Sequence, residues 1–515
     1  MRSLTGPALV VILLIALAVP FTWTIAPPPD TAITVNPGSA RAASPEARPN
    51  IIFILTDDQD TKSVAFMPRL KTLLIDQGTT FSNFFVTYSL CCPSRSSILR
   101  GQYPHNHQVL SNTPPNGGFL RFHNLGNENS TVATWLQGAG YRTALMGKYL
   151  NGYPVGVQQT YVPPGWDEWD SPIGNGGYAN YNYTLNENGR LVRHGNGPDD
   201  YLTDLLARRA TDFIRRTVRE SRPFFIYLAT YAPHEPATPA PRHQNEFPNA
   251  RMPRSPSFNE ADVSDKPEWI RNLPALSPQQ IGRIEEHYRK RLQSLQAVDD
   301  LLATLVNELQ ALGQLGRTYI FFSSDNGFHM GEHRLPMGKN TAYEEDIRVP
   351  LIVRGPGIPE GRTLPHLTLN IDFAPTWADL AGASAAGFVD GRSLVPLLGG
   401  SPPAVEAWRQ TFLVEHYPAG EAQAAQARPR RRPGGRGLLE FQAARARDFL
   451  YVEYATGERE LYDLRNDPYE LQSLHASVEA ALMRQLASYL AALRRCAAAS
   501  CRSAEDAPAP AVIGR

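Results

Sequence analysis

The sequence predicts an α/β fold: a large, mainly parallel central sheet flanked by helices on both faces, with a smaller C-terminal α+β domain that carries an antiparallel sheet. Three observations predict it. Short apolar runs recur along most of the chain, segments of helical spacing lie between them, and after about residue 405 the texture changes to alternating strands joined by turn residues. A chain of 515 residues also exceeds the usual span of one hydrophobic core, in keeping with two units of unequal size.

The elements follow in order. Arg2 precedes an apolar stretch, Ala8–Val19, and small residues follow at Ala40-Arg41-Ala42, the A-x-A pattern of an export signal peptide. The long gap between them keeps an uncleaved membrane anchor over about Pro7–Ala26 as the alternative. Either reading sets residues 1–48 apart from the fold, with 27–48 as a tether or a stretch lost on processing, and puts the remainder outside the cytoplasm, secreted or periplasmic. Residues 49–404 form the expected catalytic domain. In it Ile51–Leu55, Phe224–Ala229, Tyr319–Ser323 and Val349–Val353 read as buried strands. Helical spacing marks Leu70–Leu74 before Gly78, Leu202–Ile214, and a long segment of about Ser277–Leu312. Residues 405–502 form the smaller domain, where TFLVEHY (411–417), RDFLYVEY (447–454) and ERELYDL (458–464) read as antiparallel strands, with a turn at Ala455–Gly457. A last helix is expected over about Glu470–Arg495, a long exposed loop over 419–437, and a tail over 503–515.

Fifty basic residues balance fifty acidic ones, so the total charge gives no sign of a nucleic-acid partner. The run Arg428–Arg432 is a local basic cluster of the kind that flexible loops usually present to solvent. Only four cysteines are present. Cys496 and Cys501 are the natural disulfide pair for an oxidising compartment, whereas the adjacent Cys91 and Cys92 are badly placed for relaxed disulfide geometry. A zinc site at Cys91-Cys92 would need further ligands at compatible spacing, and none is nearby. Packing or chemistry remains for that pair. Pro93 suits the first turn of a helix that Gly101 can end, which sets Cys91 at the positive end of the helix dipole with Arg95 one turn on.

Two strand ends carry oxygen ligands. Ile51–Leu55 runs into Thr56-Asp57-Asp58, and Tyr319–Ser323 into Ser324-Asp325-Asn326. Either acidic pair alone would read as the start of a turn. Together, at the edge where open parallel sheets bind ligands, three carboxylates and an amide oxygen suit Ca²⁺ or Mg²⁺ better than zinc.

Cys91-Cys92-Pro93-Ser94-Arg95 resembles the C-x-P-x-R signature of the type I sulfatases, whose first cysteine is oxidised to formylglycine by a maturation enzyme. PNIIFILTDDQD, MGKY, APHEP, SSDNG and KNTAYEEDIRVPLIVRGPG fall in that family's order, and the resemblance runs from Pro49 to Cys501. Within the family the chain is most similar to the N-acetylglucosamine-6-sulfatases, through the double cysteine, GKYLN, NYTL and the late cysteine pair. The resemblance implies an alkaline-phosphatase-like sandwich and hydrolysis of sulfate monoesters on 6-O-sulfated N-acetylglucosamine or related glycans. It implies one Ca²⁺ held by Asp57, Asp58, Asp325, Asn326 and the modified residue 91. It further implies that one hydroxyl of the hydrated aldehyde attacks sulfur and the other expels sulfate, with Arg95 holding the hydrate, Lys148 and Lys339 the sulfate, and His234 protonating the leaving oxygen. The other readings are a generic arylsulfatase, a phosphatase or phosphonate hydrolase of the same superfamily, and a sulfated-glycan binder without catalysis. Two departures stand out: Leu150 occupies the place of the histidine in the common Gly-Lys-x-His, and Arg100 that of a common threonine.

Overall fold

The computed structural model describes residues 48–418 and 440–512. The export signal or anchor and its tether up to residue 47, the loop expected over 419–437 with its basic run Arg428–Arg432, and the last residues of the expected tail lie outside the described residues.

The large sheet is built from β1 (Asn50–Thr56), β2 (Thr79–Phe81), β3 (Arg142–Gly147), β4 (Glu168–Pro172), β5 (Thr184–Glu187), β6 (Arg190–Arg193), β7 (Phe224–Ala229), β8 (Thr318–Ser324), β9 (Leu351–Arg354) and β10 (Arg362–Leu364). Its spatial order is β10-β2-β9-β8-β1-β7-β3-β4-β5-β6. The central run β8-β1-β7-β3-β4 is parallel throughout, and antiparallel pairs appear only towards the edges. All seven residues of β1 are buried because both sheet faces are covered. On one face Ile51, Phe53 and Leu55 join a core whose rings include Phe373 and Trp377, each centred 4.8 Å from Phe53. On the other, Ile52 and Ile54 meet the apolar stripes of two long helices.

The helices that matter here are α1 (Cys91–Arg100), α2 (Leu202–Arg219), α3 (Pro278–Ala311) and α4 (Phe373–Leu380). Ser277 caps α3: its hydroxyl accepts from Gln280 N at 3.3 Å while Gln280 Oε1 accepts from Ser277 N at 2.9 Å, with Pro278 in the first turn. Two expected elements differ in detail. Strand β9 starts at Leu351 rather than Val349, because Pro350 has no N–H to give a ladder. The helix expected over Leu70–Leu74 is a short turn, Pro68–Leu70, that widens into a π turn over Lys71–Ile75.

The C-terminal part is an antiparallel sheet of four strands, β11 (Thr411–His416), β12 (Phe441–Ala446), β13 (Phe449–Tyr454) and β14 (Arg459–Asp463), in that order, packed into the same core as one face of the large sheet. The sequence reading missed β12, whose small and polar residues hide a fully buried strand. The last helix is shorter than expected: α5 spans Ala480–Leu493, because Asp467 accepts from Leu471 N and Gln472 N and holds the segment after β14 in turns. A further helix, α6 (Ala499–Asp506), crosses the expected start of the tail at 503 and buries Glu505 against Arg409 and Tyr103. Cys496 and Cys501 are disulfide-bonded, and Cys91 and Cys92 are both free and buried. No helix among the described residues is long and apolar enough to cross a membrane.

Candidate active site

The register of the central sheet builds the site. Thr56 pairs with Ser324 at the carboxyl ends of β1 and β8, so Asp57-Asp58 and Asp325-Asn326 leave the sheet side by side, and Asp325 N donates to Thr56 O at 3.1 Å. Helix α1 starts at the same edge. Leu90 precedes it in extended conformation, and Gly101, at φ 67°, closes it in the left-handed region. The ligand atoms of Asp57, Asp58, Cys91 and His234 converge there within 4.8 Å of one another.

Each expected residue takes a defined place. The Cys91 thiol donates to Asp57 Oδ1 at 3.4 Å and accepts from Lys339 Nζ at 2.8 Å. Lys148 Nζ donates to Asp57 Oδ2 at 2.6 Å, and Lys339 also donates to Asp58. Arg95 is wholly buried; its Nε donates to Asp325 Oδ2 at 2.8 Å and its Nη1 to Lys148 O at 2.9 Å. Its Nη2 lies 3.9 Å from Asp57 and has no hydrogen-bond partner. Asp325 Oδ1 accepts from Asp58 N at 3.1 Å, and Asn326 Nδ2 donates to Asp58 Oδ1 at 2.8 Å. His234 Nε2 stands 3.6 Å from Asp58 Oδ2, with Nδ1 on Glu235 O at 2.8 Å.

The side chains of Lys148 and Lys339 carry the charge balance. Burial raises the pKa of the Asp57 carboxyl, but Lys148, then His234, Arg95 and Lys339 outweigh it and hold the group well below the usual range. Asp58 is lowered in the same way, with burial opposed by Lys339 and His234. Asp325 goes the other way: burial and the charge of Asp57 raise it despite Arg95. Burial, then Asp57, pushes the Cys91 thiol up against the two lysines, so an unmodified Cys91 is a neutral thiol and a poor nucleophile at physiological pH.

Lys148 is placed by the backbone of its neighbour. Gly147 adopts φ 101°, and a Cβ there would stand 1.9 Å from Ala229 O, so only glycine lets β3 close on β7 and turn the lysine inward. Leu150, in the place of the missing histidine, is buried in the core and offers no proton.

Three contributors escaped the sequence reading. Arg291, nearly fully buried on α3, donates to Asp58 O at 2.5 Å and to Asp60 Oδ2 at 3.1 Å, fixing the backbone that carries the acidic pair. Its signal was a charged residue inside the apolar stripe of Tyr288, Leu292 and Leu295. Tyr178 and Tyr231 wall the pocket: Lys148 Nζ lies 5.1 and 6.0 Å from their ring centres, and the Tyr178 and His234 rings are 4.6 Å apart. No sequence signal sets these tyrosines apart.

Asn326 Oδ1 is buried with no hydrogen-bond partner, and its amide lies against Asp58 Oδ1, so that beside the Cys91 thiol and a His234 nitrogen the site offers amide and carboxylate oxygens. Such oxygens fit a hard divalent ion such as Ca²⁺.

Comparison with known proteins shows the family. The family model described as Sulfatase matches residues 49–383, and that described as N-sulphoglucosamine sulphohydrolase, C-terminal, matches residues 331–496. The N-acetylglucosamine-6-sulfatase of Capra hircus is 37% identical over 491 residues, covering 90% of this chain and 87% of that protein. An arylsulfatase of Volvox carteri is 35% identical over 505 residues, covering 89% and 76%. A solved structure described as a complex with its substrate D-glucosamine-2-N,6-O-disulfate is similar with a TM-score of 0.72 at 25% identity, covering 86% of this chain and 97% of that chain. The sandwich is the alkaline-phosphatase-like one. With the matched models spanning the sheet edge, its acidic pairs and the C-terminal sheet, the chain belongs to the sulfatase family and is a sulfuric ester hydrolase.

Proposed function

We propose that this sulfatase removes sulfate from 6-O-sulfated N-acetylglucosamine or a related glycan at residue 91, matured from cysteine to formylglycine, beside one Ca²⁺ held by Asp57, Asp58, Asp325, Asn326 and residue 91. The convergence of Asp57, Asp58, Cys91 and His234 within 4.8 Å carries the reading. The relatives' names favour the substrate: one is an N-acetylglucosamine-6-sulfatase, and the solved relative is described with a glucosamine disulfate.

The ion would act as a Lewis acid on a sulfate oxygen, and the hydrated aldehyde would supply both the attacking hydroxyl and the hydroxyl that releases sulfate. The remaining steps belong to the chain's own groups. Lys148 Nζ and Lys339 Nζ, fixed on Asp57 and on Asp58 and residue 91, meet the negative charge that spreads over the sulfate oxygens. The unpartnered Nη2 of Arg95 holds the oxygen of residue 91. His234 Nε2 delivers a proton to the departing sugar oxygen, the more so because Leu150 cannot. Tyr178 and Tyr231 exclude water from the Lys148 side.

We place residues 49–404 as the catalytic domain and the part from 405 onward as the smaller one. The buried disulfide Cys496–Cys501 suits work outside the cytoplasm. The test is mass spectrometry of the peptide containing residue 91, co-expressed with a maturation enzyme. Formylglycine makes it roughly 18 Da lighter than the cysteine form. The matured chain is expected to release sulfate from N-acetylglucosamine 6-sulfate and not phosphate from the matched phosphate ester, and Cys91→Ala to abolish release with an unchanged circular dichroism spectrum. Turnover by the folded Cys91→Ala chain would overturn the assignment.

A further inference from the structure

A second cluster of ligand atoms lies apart from the sulfate site. His333, Glu345 and Glu470 each turn one ligand atom towards a common point, all within 4.8 Å of one another. Their partners leave one atom of each free. His333 Nδ1 is taken by Glu260 Oε2 at 2.7 Å, Glu345 Oε1 accepts from Ser257 Oγ at 3.5 Å, and Glu470 Oε2 accepts from Glu344 N at 3.1 Å. The remaining atoms, His333 Nε2, Glu345 Oε2 and Glu470 Oε1, are all buried and none has a hydrogen-bond partner. His333 is wholly inaccessible and Glu470 is 1% exposed.

Three orphaned buried polar atoms in one place is a costly arrangement, because each forfeits hydration without replacement. The three residues each bring a ligand atom close enough to share one ion, yet no hydrogen bond links them. We propose that His333 Nε2, Glu345 Oε2 and Glu470 Oε1 bind a transition-metal dication, Zn²⁺ in the first instance, at a structural site separate from the sulfate centre. A histidine nitrogen beside two carboxylate oxygens suits zinc or manganese better than Ca²⁺. Glu260 on Nδ1 is the outer carboxylate that metal-bound histidines commonly have: it fixes the proton on Nδ1 and leaves the Nε2 lone pair for the metal. The Tyr343 ring, stacked on His333 at 4.2 Å, holds the imidazole plane.

Electrostatics agree. Burial, then Glu332, raises the Glu345 carboxyl to about 8, and burial, then Glu344 and Glu345, raises Glu470 well above its ordinary value. At both carboxyls burial and like charge outweigh the cations that oppose them, Lys62 at Glu345 and Arg445 at Glu470. Burial, then Lys266, depresses His333 to about 3, keeping its imidazole neutral as a ligand must be. The ion would join Glu470, in the turn after β14, to the segment between His333 and Glu345 that carries Lys339, and so brace a sulfate-binding lysine from behind.

The proposal is tested on the full chain. Protein stripped with a chelator, incubated with ZnCl₂ and gel-filtered is expected to retain one zinc per chain by elemental analysis, and Asp57→Asn to retain it too. Glu470→Gln and Glu345→Gln are each expected to lose it. Crystals grown from the zinc-treated wild type are expected to give an anomalous difference peak at the zinc edge about 2 Å from His333 Nε2. Zinc-free wild type, or a peak anywhere other than among these three residues, overturns the proposal whether or not the glutamine variants fold. The readout needs no activity and is independent of the state of residue 91.

Discussion

Truncating Lys148 tests the charge logic of the proposed sulfate site directly. Its ammonium is 3% exposed and lies 2.6 Å from Asp57 Oδ2, so Lys148→Ala removes the nearest cation from a fully buried carboxylate. Breaking a buried pair from one side costs about 3–5 kcal/mol. The lower end, about 3 kcal/mol, is expected here, because Arg95 at 3.9 Å and Lys339 still oppose the Asp57 charge. The same ammonium is assigned to charge that develops on sulfate, where losing one preorganised donor costs about 3–4 kcal/mol, or about 10²- to 10³-fold in kcat. Two assays separate these effects. Urea unfolding of the chain before maturation reads the stability loss, and sulfate release by the matured chain, well below its unfolding midpoint, reads the catalytic one. A kcat within about threefold of wild type would refute the role of Lys148 on sulfate, whatever the stability result.

Two other outcomes follow from the geometry. Gly147→Ala would force a Cβ into Ala229 O at a left-handed backbone position, so β3 and β7 must part; the expected result is insoluble or unfolded chain, and a soluble variant with normal activity would contradict the packing. His105 bonds through Nδ1 to Glu415 at 2.9 Å; burial lowers its pKa, but the charge and hydrogen bond of Glu415 outweigh burial and raise it from 6.5 to about 9. A raised histidine stabilises the fold fully below its unfolded pKa and loses that contribution as pH rises through the folded one. The stability gap between wild type and His105→Gln should therefore shrink between pH 6.5 and about 9, and a gap constant across that window in thermal unfolding would count against the ion pair.

Much of this was legible in order of burial. Strands β1, β7 and β8 announce themselves because a strand covered on both faces must be apolar throughout. Strand β12 does not: Ala443 and Ala444 are too small to mark a core, and Arg445 reads as surface although it is buried and pairs with Glu344. In the site, Asp57, Asp58, Asp325 and Asn326 were visible because strand ends and turn residues sit together in the sequence, and Cys91, Arg95, Lys148, His234 and Lys339 because they fall in short motifs. Arg291 was hidden, since its bond to the Asp58 carbonyl joins segments far apart in the chain.

The sequence by itself determined which stretches must be buried, where α1 begins and ends, and which oxygen-bearing residues leave the sheet at its carboxyl edge. These depend on spacing and backbone chemistry within a few residues. Only the tertiary structure decided which side chains meet: that Thr56 lies level with Ser324, that Lys148 reaches Asp57, and that His333, Glu345 and Glu470 leave three unpartnered atoms in one place. The reason is physical. Hydrophobic burial is non-directional and readable from local pattern, whereas the pairing of buried polar groups depends on register and on distances of a few ångströms between segments that sequence separates widely.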